Sequence, residues 1–129
     1  MRLRAHDQGF VAAPPASVYS TLGDRFAYRR WWPGASMGES DGVIRLRLGR
    51  RVVDARPEGH RDGLGLYLTV QGGSLEWYLE PFEEGTIVNA FADLDLPGGP
   101  RAAARRLLAA RSSVRTGLVG LKVWLEGAG

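Results

Sequence analysis

Arg111 is the residue whose type and position ask most plainly for a chemical explanation. It falls in the middle of a run with helical periodicity, between Leu107/Leu108 and Val114/Leu118. A guanidinium on an apolar stripe needs a partner, because an unpaired buried charge is very costly. The partner is either a carboxylate such as Asp93 or Asp95, or an anionic or carbonyl ligand in a cavity. Snorkelling of the long side chain toward water is the plain alternative. Trp31-Trp32, directly after Arg29-Arg30, come next. Aromatic faces there can stack on a flat ligand, or they can fill a core. His6 and His60 lack the spacing of a metal pair, and no nucleophile accompanies His6-Asp7. Tyr67, Tyr78, Glu76 and Glu80 would serve as acid or base only if they faced a cavity, and alternation places them opposite the leucines. Arg45, Arg47, Arg50, Arg51, Arg56 and Arg61 crowd one hairpin and its loop. They fit phosphate tracking or a solvated face that discourages edge pairing. No aromatic residues interleave with them as a stacking platform requires, so a nucleic-acid partner is not expected.

These residues must be positioned by a few elements. From Pro100 to Glu126, Ala104, Leu107, Leu108, Val114, Leu118, Leu121 and Leu125 recur at steps of three and four. That spacing predicts one amphipathic helix, about 39 Å long at about 1.5 Å per residue. Ahead of it the chain reads mostly as strands. Residues 2–12 alternate until Pro14-Pro15 stops them. A short helix is expected over Pro15–Gly23 and a second from an Asp24 cap through Trp31, broken at Pro33-Gly34. A short strand at 36–39 and a turn at Ser40-Asp41-Gly42 follow. Val43–Leu48 and Arg51–Arg56 flank a Gly49-Arg50 turn with glycine first. After a polar loop at 57–63, strands are expected at 64–71, 74–82 and 86–96, with Gly72-Gly73 and Glu83-Glu84-Gly85 turning the chain. Short connections make the strands antiparallel. An antiparallel sheet with one apolar face and one long amphipathic helix is an α+β fold in which the sheet curls round the helix.

The bulk properties set outer bounds. The chain has 129 residues, 44% apolar and 24% charged, which fits one domain over 1–129 with an ordinary core. It has no cysteine, which excludes disulfides and thiolate metal sites. No run of about 18 apolar residues is present, so no membrane span is expected. Charges at Arg2, Arg4 and Asp7 stand where a signal peptide needs an apolar stretch, and a cytoplasmic protein is the default expectation. The net charge is +3, and sixteen of the seventeen basic residues are arginine, Lys122 being the exception. That charge permits an anionic partner without demanding one.

Three segments resemble the START-like (SRPBCC) helix-grip superfamily of polyketide cyclases/dehydrases and lipid-transfer proteins. Ala13-Pro14-Pro15-Ala16-Ser17-Val18-Tyr19, with Leu22 and Asp24, is similar to the entry into that family's first helix. Trp31-Trp32-Pro33-Gly34 is similar to the end of its second, and Leu121-Lys122 with Leu125-Glu126 to its C-terminal helix ending. The resemblance implies a seven-stranded antiparallel sheet around the long helix, with a cavity between them. Leu46, Leu66, Leu68, Trp77, Leu107 and Leu108 are the expected lining, with Trp31, Trp32 and Arg111 as further ligand contacts. Three functions follow from the resemblance. The first is binding of a small hydrophobic molecule: lipid, polyketide or aromatic. The second is a cofactor-free polyketide cyclase or aromatase, with Arg111 or a tyrosine polarising a carbonyl. The third is a protein- or ribosome-interaction module using the arginine hairpin. No cofactor and no metal is expected, and a homodimer is allowed.

Overall fold

Alternating apolar and polar residues build a single sheet. The structure, a computed structural model, describes residues 1–39, 42–59 and 63–127. Its strands are β1 (Arg2–Val11), β2 (Ser36–Met37), β3 (Ile44–Leu48), β4 (Arg51–Gly59), β5 (Gly65–Val70), β6 (Gly73–Phe82) and β7 (Gly85–Asp95). They form one seven-stranded sheet in the order β1-β7-β6-β5-β4-β3-β2, with every neighbouring pair antiparallel. Two short helices, α1 (Pro15–Gly23) and α2 (Tyr28–Trp31), follow β1, and α3 (Pro100–Gly127) closes the fold. Inward residues such as Leu46, Leu66, Leu68, Val88 and Ala90 are buried on the face that the helices cover. The expected α+β architecture is therefore the observed one.

At 28 residues, α3 is about 42 Å long and lies across the concave face. Both ends of the sheet reach it. On the β1 side, Arg111 and Arg115 bind Asp7, and the Lys122 ammonium donates to the Phe10 carbonyl at 3.1 Å. On the β3 side, the Gly49 amide donates to Ser113 Oγ at 2.8 Å.

The buried stripe of α3 differs from the expected one. It consists of Ala103, Ala110, Val114, Gly117, Leu118 and Leu121, with Leu107 and Leu125 half-buried beside it. Ala104 is exposed, and Leu108 is 63% exposed, so it lines nothing. The reason is the bulk of the opposing surface. A Cβ on Gly117 would stand 2.8 Å from the Trp32 indole, and one on Gly120 would collide with the Trp31 carbonyl. The helix can approach α2 only through small residues, and that contact sets its rotation.

Other boundaries shift for local reasons. β4 runs on through Pro57 to Gly59, where a loop was expected. Its pairing with β3 ends at Ile44↔Ala55, so beyond that point β4 has a neighbour on one side only. Proline is tolerated at such an edge. The β5–β6 turn is Gln71-Gly72, since Val70 pairs with Gly73. Gly72 takes φ +86°, and a Cβ on Gly73 would collide with the Asp93 carbonyl. Asp24 caps a turn instead of a helix: its Oδ1 accepts the Phe26 amide at 2.9 Å, and α2 starts only at Tyr28. The expected turn residues Ser40 and Asp41, and His60 and Arg61, lie outside the described residues.

Candidate functional site

The part of the groove under the C-terminal half of α3 is filled with aromatic rings. Trp31, Trp32 and Trp77 are buried, and their ring centroids lie 5.8–6.3 Å apart in edge-on contacts. Tyr28 packs at 4.6 Å from Trp31. Trp32 Nε1 donates to the Arg47 carbonyl at 3.3 Å and so ties α2 to β3. The Tyr28 hydroxyl donates to the Leu22 carbonyl at 2.7 Å. Burial raises its pKa far above the usual phenol value, an effect the nearby Trp77 indole only partly offsets. Trp77 Nε1 lies beside that hydroxyl without meeting hydrogen-bond geometry, and Trp31 Nε1 is likewise buried without an acceptor among the described residues. Leu46, Leu66 and Leu68 are buried around this cluster. The expected lining of Leu46, Leu66, Leu68 and Trp77 thus forms packed core. Trp31 and Trp32 fill that core as well.

Arg111 has a protein partner, and it is neither Asp93 nor Asp95. Its Nε donates to Asp7 Oδ2 at 3.0 Å, while Arg115 Nε donates to Asp7 Oδ1 at 2.8 Å. Asp93 instead accepts from Arg2 and Asp95 from the Met1 ammonium. Asp7 is a buried carboxylate on the inward phase of β1. Burial pushes its pKa up, but hydrogen bonds and charge from Arg111 and Arg115 outweigh this and hold it below the ordinary carboxylate range. The triad joins strand to helix and is structural. The missed signal was the phase of β1: Asp7 alternates with Arg4, His6 and Gln8 and shares its face with Leu3 and Ala5.

The remaining space lies under the N-terminal half of α3. A cavity of about 730 Å³ opens there, between the helix, the β3–β4 and β5–β6 turns, and the end of β7. Its floor includes Leu48, Val53, Leu94 and Leu96, all buried residues. Its roof is made by Ala102, Ala109 and Ala110 of α3. Arg50, Arg51, Arg105 and Arg106 surround it, with Asp95 as its one carboxylate. None of the nine expected ligand contacts borders this space. The overlooked signal was the alanine content of the helix's first half, combined with arginines at 105–106 and 50–51.

The other candidates are placed away from the cavity. On the outer face of the sheet, His6 stacks on Phe91 at 4.4 Å, and its Nε2 meets Asn89 Oδ1 at 3.2 Å. Glu80 on the same face accepts from Asn89 Nδ2 at 2.7 Å. Tyr67, Glu76 and Tyr78 share that outward phase of β5 and β6, as expected. Arg45 pairs with Asp54 and Glu39, while Arg47 and Arg56 are exposed. Arg29 and Arg30 border a smaller cleft of about 240 Å³ against Trp124. Among the described residues, no group of three His, Cys, Asp or Glu side chains is placed to hold a metal ion. No described helix is long and apolar enough to cross a membrane.

No protein-family model matches the chain, and no curated protein matches it. Solved structures do. A START superfamily protein from Mycobacterium smegmatis aligns with TM-score 0.76 at 15% identity, covering 98% of this chain and 99% of that one. The Zhui aromatase/cyclase from a Streptomyces species aligns with TM-score 0.75 at 17% identity, over 98% and 94% of the two chains. The Aha1 dimer from Colwellia psychrerythraea gives 0.68 at 17% identity, over 96% of each chain. At these identities the likeness is one of fold, and the fold is the START-like helix grip.

Proposed function

We propose that this helix-grip chain binds a small hydrophobic molecule between its sheet and the N-terminal half of α3. One observation carries the reading: the cavity of about 730 Å³ with a leucine and valine floor. Ligand pockets commonly span about 300–1,000 Å³ and combine an apolar lining with a few polar groups. A ligand covering the apolar surface that remains accessible there gains roughly 25 cal/mol per Å².

Catalysis has less support from these residues. The ionisable groups at the cavity are four arginines and Asp95. Arginine can polarise a carbonyl, but a cyclisation also needs a positioned proton acceptor and donor. Asp7, whose pKa its arginine partners lower, and Tyr28, whose pKa burial raises, are both engaged in structural hydrogen bonds outside the cavity.

Fluorescence titration with the neutral apolar probe N-phenylnaphthylamine tests the reading. Saturable binding, displaced by dodecanol and abolished by Ala102→Phe, is the expected result. Ala102 is a half-buried cavity residue, so the larger ring enters the vacant volume. Absence of saturable binding, or binding indifferent to Ala102→Phe in a folded variant, overturns it.

A further inference from the structure

We infer that the ligand of this cavity is an amphipathic anion. Its apolar body would sit on Leu48, Val53, Leu94 and Leu96, and its carboxylate- or phosphate-type head would be held by the surrounding arginines. This rests on the cavity reading above and adds the charge of the ligand to it.

The first support is uncompensated charge. Arg50 and Arg51 come from the β3–β4 hairpin, Arg105 and Arg106 from α3, and all four border one concavity. Against them stands a single carboxylate, Asp95, leaving an excess of three positive charges at the cavity. Among the described residues, Arg50, Arg51 and Arg105 enter no ion pair. Arg106 donates to the Pro97 carbonyl at 2.9 Å, which fixes its guanidinium beside the β7–α3 connection without neutralising it. A guanidinium carries five donors, so its others are free to meet an acceptor. Solvation accounts for one exposed arginine on a surface. It does not favour drawing four from two separate elements around one opening, where they repel each other.

The second support is the direction of α3. The N-terminus of a helix carries partial positive charge, and acidic residues are the ones that stabilise a first turn. The first turn of α3 has no acidic residue, and Arg101, Arg105 and Arg106 follow its start at Pro100. The charge pattern therefore works against the helix's own stability and adds to a positive potential over the cavity. An anionic head reverses both penalties at once. Guanidinium also suits carboxylate and phosphate oxygens through paired, charge-assisted hydrogen bonds.

The test compares two fluorescent probes with a common aromatic body, neutral N-phenylnaphthylamine and anionic anilinonaphthalenesulfonate. The anionic probe is expected to bind at least about tenfold more tightly at low salt, the smaller end of what charge-assisted bonds contribute. That preference should collapse in about 0.5 M salt and in the Arg50→Gln/Arg105→Gln double variant. Arg105→Lys, which keeps the charge, should retain the salt dependence. Dodecanoate and dodecyl phosphate should both displace the anionic probe, and the better competitor identifies the head group. Inorganic phosphate should compete about a hundredfold less well, since it cannot use the apolar floor. Equal affinity for both probes, unchanged in the double variant, overturns the anion inference while leaving the cavity reading standing. Failure of both probes to bind overturns the cavity reading itself. Displacement by an RNA oligonucleotide but not by dodecanoate assigns the arginines to a polyanion and also overturns the inference, as does inorganic phosphate competing as well as dodecyl phosphate.

Discussion

Replacing Asp7 with asparagine tests the clamp between β1 and α3. The Asp7 side chain is 8% exposed and accepts from Arg111 Nε at 3.0 Å and Arg115 Nε at 2.8 Å. Breaking a fully buried ion pair costs about 3–5 kcal/mol, mostly through the charge left behind. Here the arginine side chains are 36% and 61% exposed, so both regain water once the carboxylate charge is gone. Two charge-assisted hydrogen bonds contribute about 1.5 kcal/mol each at the low end, and the more exposed one counts for about half. Asp7→Asn should therefore cost about 2 kcal/mol. Arg111→Met should cost about 1.5 kcal/mol, the Arg111 bond alone, because Arg115 still holds Asp7. On the Asp7→Asn background Arg111→Met should cost almost nothing, a coupling of about 1.5 kcal/mol.

The same carboxylate sets a pH dependence. Its folded pKa lies below the ordinary range despite burial, because Arg111 and Arg115 bind the charged form. Such a group contributes stability that is fully present above its unfolded pKa of about 3.9, and loses it as pH falls through the lowered folded value. Urea unfolding followed by tryptophan fluorescence reads both effects, since three of the four tryptophans lie in the core cluster. The gap between wild type and Asp7→Asn should be full at neutral pH and should narrow below about pH 4. A gap under about 0.5 kcal/mol at neutral pH, or one that stays constant into acid, would refute the clamp.

Three further outcomes are expected. Gly120→Ala drives a methyl against the Trp31 carbonyl, and chemical denaturation should show a loss of about 1–3 kcal/mol even though alanine favours helix. Leu118→Asp puts an unpaired carboxylate into the buried seam between α3 and the sheet, and near-ultraviolet circular dichroism should show no cooperative melting. Arg105→Glu turns the like-charge pair with Arg101, four residues earlier on α3, into an opposite-charge one, so it should raise stability by about 0.4–1 kcal/mol, a higher melting temperature accompanying weaker binding of the anionic probe.

The fold was legible because it rests on periods. The alternation in Ile44–Leu48 and Gly73–Phe82 and the three-four spacing of α3 are local signals, and α1 begins and ends at the expected Pro15 and Gly23. The failures came where a distant neighbour decides. Leu108 satisfies helical spacing as well as Ala103 or Ala110 does. Only the width of Trp32 over Gly117 shows which rotation of α3 is buried. Pro57 reads as a strand breaker until the point where β3 stops pairing with β4 is known. Arg111 was rightly singled out as a charge needing a partner. Its partner stands 104 residues away on β1, and spacing within α3 carries no information about that contact.

The position of the cavity follows from one compositional choice made twice along α3. In the second half, Gly117 and Gly120 face Trp31 and Trp32, so small helix residues meet large rings and the groove closes. In the first half, Ala102, Ala109 and Ala110 face Leu48, Val53 and Leu94, and no ring comes from any element to meet them. Small against large gives native packing, whereas small against medium across the same groove leaves a void that the surrounding structure relaxes only partly to fill. One end of that void is fixed on both flanks of the helix. Ser113 holds α3 to the Gly49 amide, and Arg111 and Arg115 hold it to Asp7, both just past the cavity's last helical residue, Ala110. Arg111, which first suggested a ligand, therefore anchors α3 to β1 beside the cavity and does not line it.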